Sequence, residues 1–249
     1  MIKKLIILLG ILIFLLVVAV VAVGFFIGPI VTKTVNSIGP RVTGTKVELA
    51  SSDISLLTGG GALKGLFVGN PEGWKSDKAF YLAEIRLKLE PSSLLSDVIV
   101  VDEVFIDGPE FVYESNLRSS NIGVLQKQIQ ENLAKFSGAA EQPAEPAAES
   151  GPAKKFMLKS FRLQGGTVTL GLGGAGVTVP MPPVTITDLG VAEGGITADQ
   201  AVGAIIRAVL ANVSQAATEA LIQGGGGGAE GIKDATKGLS DGIKGLFGK

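Results

Sequence analysis

The sequence contains no cysteine and no histidine, and only 6% of its residues are aromatic. Without cysteine there is no disulfide, no thiolate nucleophile and no cysteine-bound metal. Without histidine the chain lacks the commonest general base and metal ligand. Ser-His-Asp and Cys-His catalysis are therefore excluded. We expect a protein that is not an enzyme, with no catalytic residues, no cofactor and no metal site.

Neither sign of charge is in excess. Lys and Arg number 22 and Asp and Glu number 23, a net charge of −1. Because nucleic-acid binding rests on a basic surface, this balance predicts no nucleic-acid partner. Two Gly-rich stretches, 171–176 and 224–228, lack the following helix or the Lys-Ser/Thr ending that nucleotide-binding loops need.

What the sequence does contain is a long uncharged run, from Leu5 to Thr32, after the basic pair Lys3-Lys4. A helix of about 24 such residues spans roughly 36 Å, enough to cross a hydrocarbon core of about 30 Å. The alternative, a cleaved signal peptide, has a shorter apolar region and a small-residue cleavage site, which is absent here. We therefore predict membrane contact through residues 5–28. The basic pair favours a single-pass protein of the bacterial inner membrane, N-terminus inside and bulk in the periplasm.

Gly24 and Gly28 form a small-xxx-small pair in this run and are candidate helix-packing residues, because such pairs let two membrane helices approach closely. Glycine is common in membrane helices, so chance also explains the spacing.

Composition changes divide the chain further. An anchor helix is predicted over 1–37, stopped by Gly39-Pro40. A β-rich domain ending in a helix covers 38–137, and a disordered Ala/Pro/Glu linker covers 138–154. Further strands and a long helix over 155–223 precede a Gly-rich break and amphipathic tail, 224–249. The tail is either a frayed terminus or a contact for a membrane surface or protein partner.

One strand pattern occurs three times, and in each copy alternating apolar residues lead into Gly, Asn, Asp or Pro. The copies are Leu63-x-x-Leu66-x-Val68, Val101-x-x-Val104-x-Ile106 and Leu158-x-x-Phe161-x-Leu163. We interpret each as a strand followed by a hairpin. The third copy lies beyond the linker, so the linker is interpreted as an insertion in one sheet. The alternative is that any β-meander has this pattern.

Several segments together resemble the N-terminal region of AsmA-like proteins of the bacterial envelope, over about residues 1–115 and more loosely 155–190. They are the single span, Ile38–Thr45, Gly65–Gly73, and Ser92–Val100 followed by Val104–Pro109. The resemblance implies an α+β fold, in which an N-terminal transmembrane helix precedes a curled antiparallel β-sheet with accessory helices. It also implies envelope lipid handling or membrane homeostasis through an apolar groove, with phospholipid as the partner.

The predicted groove residues are Leu66, Val68, Ile85, Leu87, Val104, Ile106, Phe161 and Leu163. The alternative function is a non-catalytic structural or accessory subunit of a membrane complex that carries no lipid. A lipid carrier needs an apolar face that its own helices leave uncovered, whereas a scaffold can bury that face. The helices predicted at about 121–136 and 198–223 each have an apolar side that could fill the groove.

Overall fold

The computed structural model describes residues 27–116, 118–139, 154–171 and 176–224, with α+β architecture. This confirms the coarse fold class. Most of the predicted membrane span with Gly24, nearly all of the linker, and the tail beyond residue 224 lie outside the described residues.

The described residues form ten strands, three α-helices and one 3-10 turn at Pro91–Leu95. The helices are α1 (27–43), α2 (Asn121–Ala139) and α3 (Ala198–Gly224). The strands are β1 (Val47–Ile54), β2 (Gly60–Gly69), β3 (Lys78–Leu89), β4 (Val98–Asp107), β5 (Glu110–Asn116), β6 (Ser119–Ser120), β7 (Lys155–Gln164), β8 (Thr167–Gly171), β9 (Val177–Pro180) and β10 (Val184–Leu189).

The hairpins predicted after Ile106 and Leu163 are wrong, because the chain continues forward at both places. Along one edge of β3, Ile85 pairs with Ile106 of β4 and Phe80 with Phe111 of β5, without a change of register. The segment 107–109 is therefore a kink in one long strand. Strands β7 and β8 likewise lie beside β4 and β5, and the kink at 165–166 falls beside the first one. Glycine at positive φ, at Gly108 (63°) and Gly165 (64°), bends each strand.

The sheet is mixed, which corrects the prediction of an antiparallel sheet. Neighbouring strands run antiparallel except that β4 pairs with β7, and β5 with β8, in parallel. A parallel pair needs a crossover connection. Here the crossover contains α2 and residues 140–153, and it returns the chain to the end of the sheet where β4 began. Strands on both sides of residues 140–153 thus belong to one sheet.

Helix α1 runs three residues beyond the predicted stop at Gly39-Pro40 and ends at residue 43. Pro40 has no N–H, but its carbonyl accepts a hydrogen bond from the Gly44 amide at 2.9 Å. Gly44, with φ of 71°, takes the left-handed conformation that closes a helix C-terminus. The stop signal is therefore Gly44.

Helices α2 and α3 pack on one face of the sheet and form the core with it. Leu125 of α2 and Val213 of α3 are fully buried among residues of β5, β7 and β8. By length and composition, residues Ala198–Ile222 of α3 are the one described helix that could cross a membrane, and a third of its most apolar window is buried (33%). Its buried residues, which include Val209, Leu210 and Val213, belong to the domain core.

Candidate functional site

The two ends of the sheet have different turns, loops and helix ends. The turns at 55–59 and 90–97, the start of β7 and the start of α3 lie at one end, which we call the proximal edge. The loop 70–77 and the end of β5 lie at the other, the distal edge. The described part of α1 begins at the proximal edge. The Gly28 carbonyl accepts a hydrogen bond from Ser52 Oγ at 2.5 Å, whereas Asn36 bonds Leu49 further along β1.

Gly28 packs against β1 of its own chain. A Cβ built on Gly28 would lie 2.3 Å from the Ser52 carbonyl oxygen. Any other residue would push α1 away from the strand. Gly28, which was predicted to pack two membrane helices together, makes this contact within its own chain in the structure.

The eight predicted groove residues lie on the helix-covered face of the sheet, but the helices cover them unevenly. Five are buried, and these include Phe161 and Leu163 at 1% exposure and Val68 at 2%; the others are Ile85 and Ile106. Leu66, Leu87 and Val104 are only partly buried. Leu87 pairs with Val104 across β3 and β4, so these two form adjacent parts of one surface.

Burial on this face falls toward the proximal edge along three neighbouring strands. In β3 Leu82 is buried and Leu87 is not; in β4 Ile106 is buried and Val101 is not. We call five partly covered residues of β2, β3 and β4 the trough: Leu63, Leu66, Leu87, Val101 and Val104. Phe80 of β3 is also partly covered but lies nearer the distal edge. Sequence reasoning missed Leu63 and Val101, although both open a copy of the repeated pattern.

The repeated pattern has a structural explanation. Val101, Val104 and Ile106 pair in parallel with Leu158, Phe161 and Leu163, position by position. In both strands two residues, rather than one, separate the first core residue from the second, so each strand must shift its pleat there to keep both on the core face. The skipped residues include Asp102 and Lys159. Asp102 accepts a hydrogen bond from Lys159 Nζ at 2.7 Å, and this carboxylate raises the pKa of Lys159.

The opposite face of the sheet is polar. Phe105 lies between two guanidinium groups, whose central carbons are 4.5 Å (Arg86) and 5.4 Å (Arg162) from its ring centroid. Glu84 and Glu103 pair with these two arginines, so the charges are compensated. A cavity of about 320 Å³ beside them is lined by Arg86, Glu103, Phe105, Arg162 and Gln164. Nothing in its charge selects a ligand.

A second recess, of about 500 Å³, lies between α2 and α3. Ile129, Leu133 and Ile206 form its apolar part, while Asp199 and Arg207 stand among its polar lining residues. It separates the two helices near the proximal edge, where α2 ends and α3 begins. The recess shows that α2 and α3 pack less closely against each other at this end of the sheet.

A buried polar network fixes the distal edge. Glu114 is 5% exposed, and its carboxylate accepts hydrogen bonds from the Lys75 amide (2.9 Å), the Ser76 amide (2.7 Å) and the Asn70 side chain (3.0 Å). Burial alone would raise the pKa of Glu114, but these hydrogen bonds outweigh it and lower the pKa. Asn121, at the start of α2, donates to Asn70 and accepts from the Glu114 amide. The network ties loop 70–77 to β5 and α2.

The described residues contain no group of three or more His, Cys, Asp or Glu side chains that could hold a metal ion. Asp102 and Glu103, which lie close together in the sequence, instead pair with Lys159 and Arg162. Comparison with protein-family models, with curated proteins and with solved structures finds no match to this chain. The site must therefore be interpreted from its own geometry.

Proposed function

We propose that this protein is a non-catalytic, membrane-anchored envelope protein of the AsmA-like type that handles phospholipid, and that the trough receives acyl chains at the proximal edge. The anchor ahead of residue 27, the periplasmic location of the domain and a curl of the sheet around the trough are parts of this proposal. The uncharged run Leu5–Thr32 supports the anchor.

The observation that carries the proposal is the gradient of burial on the core face. A face used only as a core would be covered along its whole length, since exposed apolar surface is unfavourable. Here the β7 residues Leu158, Phe161 and Leu163 are buried, whereas burial declines over β2, β3 and β4 toward the proximal edge. An acyl chain entering from the membrane at that edge would meet apolar side chains without having to unfold the domain.

The trough is too small for a carrier that spans an envelope alone. Six strand positions lie side by side from β1 to the kinked pair β9 and β10, and at about 4.8 Å per strand they cover roughly 24 Å. We therefore propose local handling of one lipid near the membrane. The alternative, an accessory subunit without lipid, is favoured by the five predicted groove residues that the helices do bury.

The test is the number of phospholipids that stay bound to the full chain in detergent, counted by native mass spectrometry. Leu87→Asp places a charge in the trough, and Lys88→Asp, on the polar face of the same strand, is the matched control. We expect the unchanged chain and the Lys88→Asp variant to retain one phospholipid that the Leu87→Asp variant loses. Equal lipid counts in all three folded proteins would favour the accessory subunit.

A further inference from the structure

Two exposed leucines lie in adjoining turns of the proximal edge. Leu95, in the turn between β3 and β4, is 95% exposed, and Leu57, in the turn between β1 and β2, is 71% exposed. Ile30 of α1, on the side of the domain where the chain arrives from the uncharged run, is 61% exposed. Single exposed apolar residues are ordinary on protein surfaces. These three are notable because they lie at the same end of the sheet.

The two turns are in contact with each other. The Leu89 amide donates a hydrogen bond to the Gly59 carbonyl at 2.7 Å. A Cβ built on Gly59 would lie 2.0 Å from the Leu89 carbonyl oxygen and 3.2 Å from Pro91. The leucines are therefore presented by one continuous surface.

The turn that carries Leu95 is held rigidly. Buried Ser93 donates to the Glu90 carbonyl at 2.7 Å and accepts from the Val100 amide at 2.9 Å. From the start of β7, Lys154 Nζ donates to the carbonyls of Leu94 (2.8 Å) and Ser96 (2.9 Å). These hydrogen bonds fix the backbone of the turn 90–97, yet the side chain of Leu95 remains exposed. A turn whose backbone is already held in place loses little further backbone entropy when a partner covers it.

We infer that the proximal edge is a membrane-contact surface, in which Leu57 and Leu95 enter the interfacial layer of the bilayer that holds the anchor. This inference rests on the proposed anchoring. The partner of this surface follows from the chain itself. The uncharged run continues into α1, and the described part of α1 begins at this edge, where Gly28 contacts Ser52. A bilayer that contains the run must therefore lie close to these turns. Both turns also border the trough strands, so contact would place the open end of the trough at the lipid surface.

The contact is expected to depend on apolar insertion more than on charge. Lys154 and Lys155 stand near this edge together with Glu90 and Asp97, so neither sign dominates. Neutral lipid should therefore suffice, unlike the case of a polybasic surface.

The absence of cysteine from the chain makes the test direct. Leu57→Cys, Leu95→Cys and, as the distal-edge control, exposed Glu72→Cys are each labelled with an environment-sensitive fluorophore. The labelled full chains are reconstituted in phosphatidylcholine vesicles, with and without lipids that carry a quencher near the headgroup. We expect several-fold stronger quenching and a blue-shifted emission at positions 57 and 95 relative to position 72.

Resistance of the reconstituted chain to alkaline extraction is measured in parallel. If the chain is retained in the vesicles but positions 57 and 95 are quenched no more than position 72, the contact surface is refuted while the anchor stands. If the chain is extracted, the anchor and the contact surface both fail. Lipid counts for Leu87→Asp report separately on the trough, so failure of lipid handling is distinguishable from failure of membrane contact.

Discussion

Replacing Glu114 by glutamine is expected to destabilise the domain strongly although it changes a single atom of the side chain. Oε1 of Glu114 accepts from the Ser76 amide and from Asn70, and Oε2 accepts from the Lys75 amide. Glutamine keeps one acceptor and turns an N–H donor toward the second site. Hydrogen bonds to a charged group contribute about 1.5–3 kcal/mol each, and a buried donor left unpaired adds its own penalty. We expect a loss of about 3 kcal/mol in the free energy of unfolding.

The dependence on pH follows from the lowered pKa of Glu114. Because the carboxylate is favoured in the folded state, its stabilisation is full above the ordinary pKa of 4.5 and is lost as the pH falls through the lower folded pKa. The difference in stability between the unchanged chain and Glu114→Gln should therefore be constant at neutral pH. It should shrink on acidification below about pH 4.5.

The assay is urea unfolding of the full chain in mild detergent, followed by far-UV circular dichroism and tryptophan fluorescence. Trp74 is the sole tryptophan and lies in the loop that Glu114 holds, so its emission reports on that loop. Glu110→Gln is the matched control. Glu110 is in the same strand but is exposed and paired with Lys78 at the surface, an interaction that contributes at most about 1 kcal/mol. Equal effects of the two substitutions, or a difference that does not shrink in acid, would refute the reasoning.

Further predictions concern the turns and the core, each measured by urea unfolding of the full chain. Gly59→Ala should cost about 2 kcal/mol or more, because its Cβ would clash with the Leu89 carbonyl at a φ of 69°. Gly73→Ala, at a φ of 89° with nothing within 4 Å, should cost only about 1 kcal/mol, and equal costs would contradict the close contact of the two proximal turns. Leu125→Ala should cost about 2–5 kcal/mol because the side chain is fully buried between α2 and the sheet, whereas Leu95→Ala should change little. A large loss for Leu95→Ala would show that the exposed leucine is covered within the chain.

The positions of the kinks could not be predicted from local sequence. Asp107-Gly108-Pro109 has the composition of a tight turn, and turn chemistry alone favours a hairpin. Pairing with β3 opposes the hairpin. The long edge of β3 pairs with both β4 and β5 in one register, so the chain continues in the same direction through residues 107–109. That edge is visible only once the strands are assembled. By contrast, the local sequence from Ile85 to Lys88 agrees with the structure: Ile85 and Leu87 are buried or partly buried, and the alternating Arg86 and Lys88 are exposed.

The parallel pairing of β4 with β7 is reflected in the repeated spacing of their apolar residues. The repeat was recognised from the sequence, but the pairing was not. Two copies of one spacing, in segments 57 positions apart, signal strands that share a neighbour and a pleat shift. The direction of pairing depends on where the crossover returns the chain, and spacing does not contain that information. The Glu114 network was likewise missed. A glutamate after Phe111-Val112-Tyr113 resembles the wet end of a strand until loop 70–77 is seen to close over it.

The eight predicted groove residues could be assigned to one face from the sequence, but whether a helix covers them could not be predicted. Whether a helix lies over Phe161 or over Leu87 depends on the path of α3, which packs on β5 and on β7 to β10. Five of the predicted groove residues are therefore buried in the core, and Leu66, Leu87 and Val104 are partly open.

Photo-crosslinking in intact membranes can detect acyl chains in the trough directly. A benzophenone amino acid is placed at Leu87, in the trough, or at Lys88, on the polar face of the same strand, and phospholipid attached to the purified full chain is quantified. If acyl chains occupy the trough, we expect a lipid adduct at position 87 and none above background at position 88. A folded chain that forms no adduct at position 87, or equal amounts at both positions, would contradict it.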